Sequence, residues 1–121
     1  MTRRLYTPEL ANRSLPLVAR IAADVQAHAR RIQATWLQLQ GGGDAGLQQQ
    51  LEQLRDAYNR LVDELEQLGI ELKDPLSGLL DFRARRRGEE VYLCWRLGES
   101  SVANWHALDA GFAGRRPIAE F

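Results

Sequence analysis

The chain is short of almost everything that would announce a function. Its 121 residues hold one cysteine, Cys94, so no intrachain disulfide can form and a reducing compartment is the expected home. Lysine is as scarce: Lys73 is the only one, and arginine supplies the other cations. That bias reads as a GC-rich coding sequence more than as chemistry. An excess of one charge sign is missing too, since 16 cations match 16 anions and the formal net charge is zero. Phosphate binding rests on clustered, uncompensated cations, so the balance argues against a nucleic-acid partner. It also gives no reason to expect an anionic membrane. No apolar run approaches the roughly 20 residues that a membrane span needs. The opening Met1-Thr2-Arg3-Arg4-Leu5-Tyr6 is basic but leads into no apolar run, so it is not expected to be a signal peptide. Ser-His-Asp signatures, CxxC pairs and dinucleotide fingerprints are absent, and Gly41-Gly42-Gly43 lacks the Lys-Ser/Thr of a P-loop. What remains is a soluble cytoplasmic protein with one domain over residues 1–121, of a size that buries roughly two thirds of its unfolded surface.

The pattern that is present lies between Val18 and Leu68. Val18, Ala22, Val25, Ala29, Ile32, Trp36 and Leu39 recur at spacings of four and three, and so do Leu47, Leu51, Leu54, Tyr58, Leu61, Leu65 and Leu68. Such spacing places each set on one stripe of an α-helix, with the average period of a coiled-coil seam. The glycine-rich 41–46 segment reverses the chain between them, so residues 18–69 read as a long antiparallel helical hairpin with Trp36 buried in its seam. Ile21, Ala57 and Val62 widen the apolar stripe beyond what two helices need, so either the rest of the chain or a second hairpin covers it. Upstream, Thr7-Pro8-Glu9 reads as a helix start, and Pro16 predicts a kink that makes residues 1–17 a separate short helix. Gly69 is placed to end the second helix.

Residues 70–121 change period. Ile70 to Lys73 alternates, Asp74-Pro75 and Ser77-Gly78 mark a turn, and Leu80, Phe82 and Ala84 alternate with charged residues. Arg86-Arg87-Gly88-Glu89 reads as a hairpin connection into Glu90 to Leu97, the strongest strand candidate in the chain. Ser100 or Ser101 is placed to cap a short helix through Val102, Trp105 and Leu108. The fold class is therefore α+β: the helical hairpin, a small antiparallel sheet, and a short C-terminal helix. The pieces GLLDF, EEVYLCWRLGE, NWH and GFAGRRPI between Gly78 and Ile118, with the opening TPELAN, resemble the uncharacterised family called domain of unknown function 2203. The resemblance implies a bacterial cytoplasmic origin and carries over no catalytic residue.

Four groups of side chains invite a chemical reading. Glu99, His106 and Asp109 make a divalent-metal set or a general acid/base group, with His106 and Asp109 on one face of the expected helix. The competing reading has His106 packing beside Trp105 and pairing with Asp109, and it is preferred because the usual pair of histidines four apart is missing. His28 falls beside the helical seam and reads as structural. Cys94, between Leu93 and Trp95, reads as a packed and inert thiol. Arg83, Arg85, Arg86 and Arg87 read as solvated charges guarding a sheet edge rather than as an anion site. Arg115 and Arg116, with Arg96, are candidates to bind a ligand carboxylate or phosphate, or equally to tie the tail to Glu99 or Asp109. No catalytic residue, metal or other cofactor is assigned. The leading functional expectation is a non-enzymatic interaction or assembly module that uses the hairpin, as a homodimer or with another protein. The rival is a small metal- or ligand-binding protein, or enzyme, with its site among Arg96, Glu99, His106, Asp109 and Arg115.

Overall fold

In the computed structural model, which describes residues 4–121, two helices lead into a five-stranded sheet. Met1, Thr2 and Arg3, half of the basic opening stretch, lie outside the described residues. Helix α1 spans Pro8–Gln40, with Thr7 accepting from the Leu10 N–H at 3.2 Å and Pro8 in the first position. Pro16 does not divide it, so no separate short helix precedes residue 18, contrary to expectation. Ala11 and Leu15 precede the proline, Val18, Ile21, Ala22 and Val25 follow it, and all six are buried in one core. A break would take one of these groups off that core, and the loss of one backbone hydrogen bond at an exposed Pro16 is the smaller cost.

Helix α2 spans Ala45–Gln67 and runs back antiparallel to α1, with Asp44 accepting from the Leu47 N–H at 2.9 Å. Gly69 then turns the chain at φ 80°, where a Cβ would also meet the Arg4 carbonyl oxygen at 2.8 Å. Glycine is required there on both counts.

The sheet is an antiparallel meander of β1 (Ile70–Asp74), β2 (Leu79–Arg86), β3 (Glu89–Arg96), β4 (Asn104–Ala107) and β5 (Arg116–Pro117). Arg87 at φ 50° and Gly88 at φ 84° form the two-residue β2–β3 turn, the doubly positive conformation that matches strand twist. Tyr6 extends the sheet beside Ala84, donating its N–H to the Arg83 carbonyl and its hydroxyl to the Leu68 carbonyl.

The helix expected through Val102, Trp105 and Leu108 is strand β4 instead. Trp105 pairs with Leu93 and faces the core, His106 points to the opposite side, and Leu108 is exposed. The open edge of β3 offers a row of backbone partners that a short isolated helix cannot match. Asn12 on α1 fixes the approach: its Oδ1 accepts from the Val102 N–H at 2.7 Å and its Nδ2 donates to the Val102 carbonyl at 3.1 Å. The helical turns of the tail are short 3-10 pieces at Phe112–Gly114 and Ile118–Glu120.

One sheet face, carrying Leu80, Phe82, Leu93 and Trp95, packs on the root of the hairpin at Val18, Ala22, Val25 and Leu65. The tip of the hairpin reaches past the sheet. Trp36, expected inside the seam, is 46% exposed, and Thr35 takes the buried position. Trp36 lies about five helical turns beyond Val18 and so points the same way, toward the side that the sheet covers only at the root. A groove of about 570 Å³ opens there, lined by Ala29, Ile32 and Trp36 of α1, Arg55 and Tyr58 of α2, and Leu76 of the β1–β2 turn. Among the described residues no helix is long and apolar enough to cross a membrane.

Candidate functional site

The strand alternation that sends Leu80, Phe82, Leu93, Trp95 and Trp105 into the core turns their neighbours to the outer face. Asp81 on β2 is the register partner of Cys94 on β3, and His106 on β4 lies diagonally across from Cys94. All three are buried, and one ligating atom from each falls within 4.8 Å of the others. His106 Nε2 stands 3.1 Å from each Asp81 oxygen, and His106 Nδ1 stands 2.7 Å from the Ala107 carbonyl oxygen.

A carbonyl oxygen only accepts, so Nδ1 donates to Ala107, while Nε2 and the Asp81 carboxyl share a hydrogen bond. Burial pushes the Asp81 carboxyl above its ordinary range, opposed by the charge and hydrogen bond of His106 and by the Cys94 thiol. Burial, and then the Asp81 charge, push the Cys94 thiol up to about 12, so it is protonated at neutral pH. A nucleophilic cysteine needs a lowered pKa and a neighbouring base. Both His106 nitrogens are already engaged, so the three residues do not form a nucleophilic triad. They do form a compact set of nitrogen, sulfur and oxygen donors on three adjacent strands.

The polar arrangement continues toward β1. The Tyr92 ring lies 5.5 Å from that of His106, and its hydroxyl donates to Glu71 at 2.7 Å. Glu71 also accepts from Lys73 at 2.9 Å and Arg83 at 3.1 Å. Partial burial pushes the Glu71 carboxyl up, but the hydrogen bonds from Tyr92, Lys73 and Arg83 outweigh it and hold the group at about 2.

Glu99, His106 and Asp109 are not brought together as a triad. Glu99 accepts from the Arg96 backbone N–H at 2.7 Å and from the Arg115 guanidinium at 2.9 Å. Asp109 is exposed after β4, and without a helix its spacing from His106 no longer places the two on one face. Arg96 and Arg115 both lie over the Phe112 ring, at 5.0 and 4.6 Å, and Arg115 donates to the Cys94 carbonyl. Of the alternatives for Arg115, the structure shows the tie to Glu99. Arg116 sits 5.8 Å from the centre of the Trp105 ring. Arg83 pairs with Glu71 and Glu66, Arg86 holds the carbonyls of Glu120 and Phe121, and Arg85 and Arg87 are exposed. His28 donates from Nδ1 to the Asp24 carbonyl within α1.

Asp81 is the member that sequence reasoning missed. Its signal was available: an acid between Leu80 and Phe82, on the same strand face that Cys94 takes between Leu93 and Trp95.

The family model described as uncharacterized conserved protein (DUF2203) matches residues 4–118, which include both helices and the whole donor set. The chain belongs to that family. No curated protein and no solved structure matches it.

Proposed function

We propose that the protein is a homotypic assembly module, in which the tip of the hairpin packs against the tip of a second copy. The observation that carries this reading is Trp36, nearly half exposed in an apolar groove on the side of the hairpin that the sheet buries at the root. Large exposed apolar surface of this kind marks interaction sites. The charge distribution favours a second copy as the occupant. Level with the groove, α1 carries Arg30 and Arg31 and no acid, whereas α2 carries Glu52 and Asp56 against Arg55. A two-fold arrangement that sets α1 of one copy beside α2 of the other brings opposite charges together twice and closes without leaving a free face. The four helices then form a bundle. The single cysteine fits a reducing, cytoplasmic setting for this module.

Light scattering on a sizing column tests the reading. The wild type should elute at twice the 13.7 kDa of one chain. Trp36→Arg should return the single-chain mass with little change in melting temperature. Leu17→Ser, at an exposed apolar position on the root, should leave the doubled mass intact. A wild type of single-chain mass at about 100 μM, where even weak dimers form, would overturn the proposal.

A further inference from the structure

We infer that Asp81, Cys94 and His106 form a binding site for a divalent ion of the zinc class, a site distinct from the assembly surface and independent of it. The donors are one carboxylate oxygen, one sulfur and one imidazole nitrogen, and all three are buried within 4.8 Å of one another. That combination suits zinc or cobalt and does not suit magnesium or calcium, which take oxygen ligands. The orientation of His106 is the second argument. Its Nδ1–H is held by the Ala107 carbonyl at 2.7 Å, the outer hydrogen bond that fixes a metal-binding imidazole and aims Nε2 at the ion. Nε2 does point at Asp81, with Cys94 as the strand partner of that residue. Each donor also sits on a different strand of one sheet, so the backbone ladder holds the three in place.

The charges balance. Binding releases two protons, one from the Cys94 thiol and one shared between Asp81 and His106. The thiolate and carboxylate then neutralise the two positive charges of the ion. Three protein donors leave one position of a tetrahedral ion for an exogenous ligand. The Arg115 guanidinium lies beside Cys94, donating to its carbonyl and to Glu99, and the Glu99 carboxylate offsets its charge there. Burial of all three donors means that the ion enters as the chain folds, so uptake is coupled to refolding.

The test is to unfold the full-length protein, refold it with Co²⁺ or Zn²⁺, and remove loosely held metal by desalting. One equivalent should remain, and the cobalt form should show a thiolate-to-metal charge-transfer band in the near ultraviolet. Cys94 is the only cysteine in the chain, so that band identifies its ligand without any variant. Zinc should raise the melting temperature by mass action. Cys94→Ser should remove the band, and Asp81→Asn and His106→Gln should each weaken cobalt retention at least tenfold. Should those variants fail to fold, the wild-type band still decides the matter. Wild-type protein that refolds but keeps no cobalt, or keeps it without a thiolate band, overturns the proposal. So does a folded Cys94→Ser variant that retains the band.

Discussion

The root and the tip of the helical hairpin carry the same sequence pattern and meet different fates. At the root, Val18, Ala22, Val25 and Leu65 have no exposure at all, because the sheet closes over them. At the tip, Leu51 and Leu54 are buried between the helices, while Trp36 on the sheet-facing side is left open. Spacings of three and four therefore specify which side of a helix is apolar. What covers that side depends on how far the rest of the chain reaches, and the β1–β2 turn reaches only to the edge of the groove, at Leu76.

The largest effect should come from removing one residue at each end. Leu65→Ala leaves a cavity under the sheet and should cost about 2–5 kcal/mol in denaturant unfolding. Trp36→Ala deletes more atoms, yet in a variant held monomeric it should cost less than about 1 kcal/mol, since much of the ring is already in water. Equal losses at the two positions would erase the distinction between root and tip.

A smaller effect, of opposite sign, is expected within the root. Pro16 stands inside α1 on the exposed side, where it removes one backbone hydrogen bond and crowds the carbonyl of Asn12. Pro16→Ala should raise stability by about 1–2 kcal/mol, less than the full proline penalty because the unfolded chain also gains freedom. A lower melting temperature for this variant would mean that the proline shapes the root in a way that the continuous helix does not reveal.

Much of this architecture was legible in the residues, and the parts that were not share a cause. The Thr7-Pro8 start, the Gly69 stop, the strand at Glu89–Arg96 and its Arg87-Gly88 turn are all local devices, each readable within a few residues. The separate N-terminal helix ending near Pro16 and the helix at residues 102–108 are local inferences overruled at a distance. Burial on both sides kept α1 whole, and the free edge of β3, with Asn12 holding Val102, drew the chain into β4. The candidate site failed in the same way. The sequence singles out His106, but the partner of that residue is Asp81, 25 positions away, and not Glu99 or Asp109 nearby. Cys94 is packed and protonated, as expected, although its place beside Asp81 is visible only through strand register.

The smallest expected effect concerns the polar strap at the root. Arg83 reaches Glu71 on β1 at 3.1 Å and Glu66 on α2 at 3.2 Å, so one guanidinium joins the sheet to the base of the hairpin. Glu66 is half exposed, and its share is screened to little. Glu71 is better enclosed and accepts three hydrogen bonds, from Tyr92, Lys73 and Arg83. Its folded pKa of about 2 lies below the ordinary glutamate value of about 4.3. A depressed carboxyl binds protons more readily in the unfolded chain. Its contribution is therefore fully present above about pH 4.3 and is lost as the pH falls toward about 2. Glu71→Gln keeps the shape but loses the charge, and should cost about 1 kcal/mol at pH 7. The difference from wild type should shrink as the pH falls through that window, because the wild type then carries a neutral side chain too. Denaturant unfolding of both proteins between pH 7 and pH 2 measures this convergence. Parallel curves throughout would show that Glu71 supports the root by shape alone, leaving apolar packing as the whole difference between root and tip.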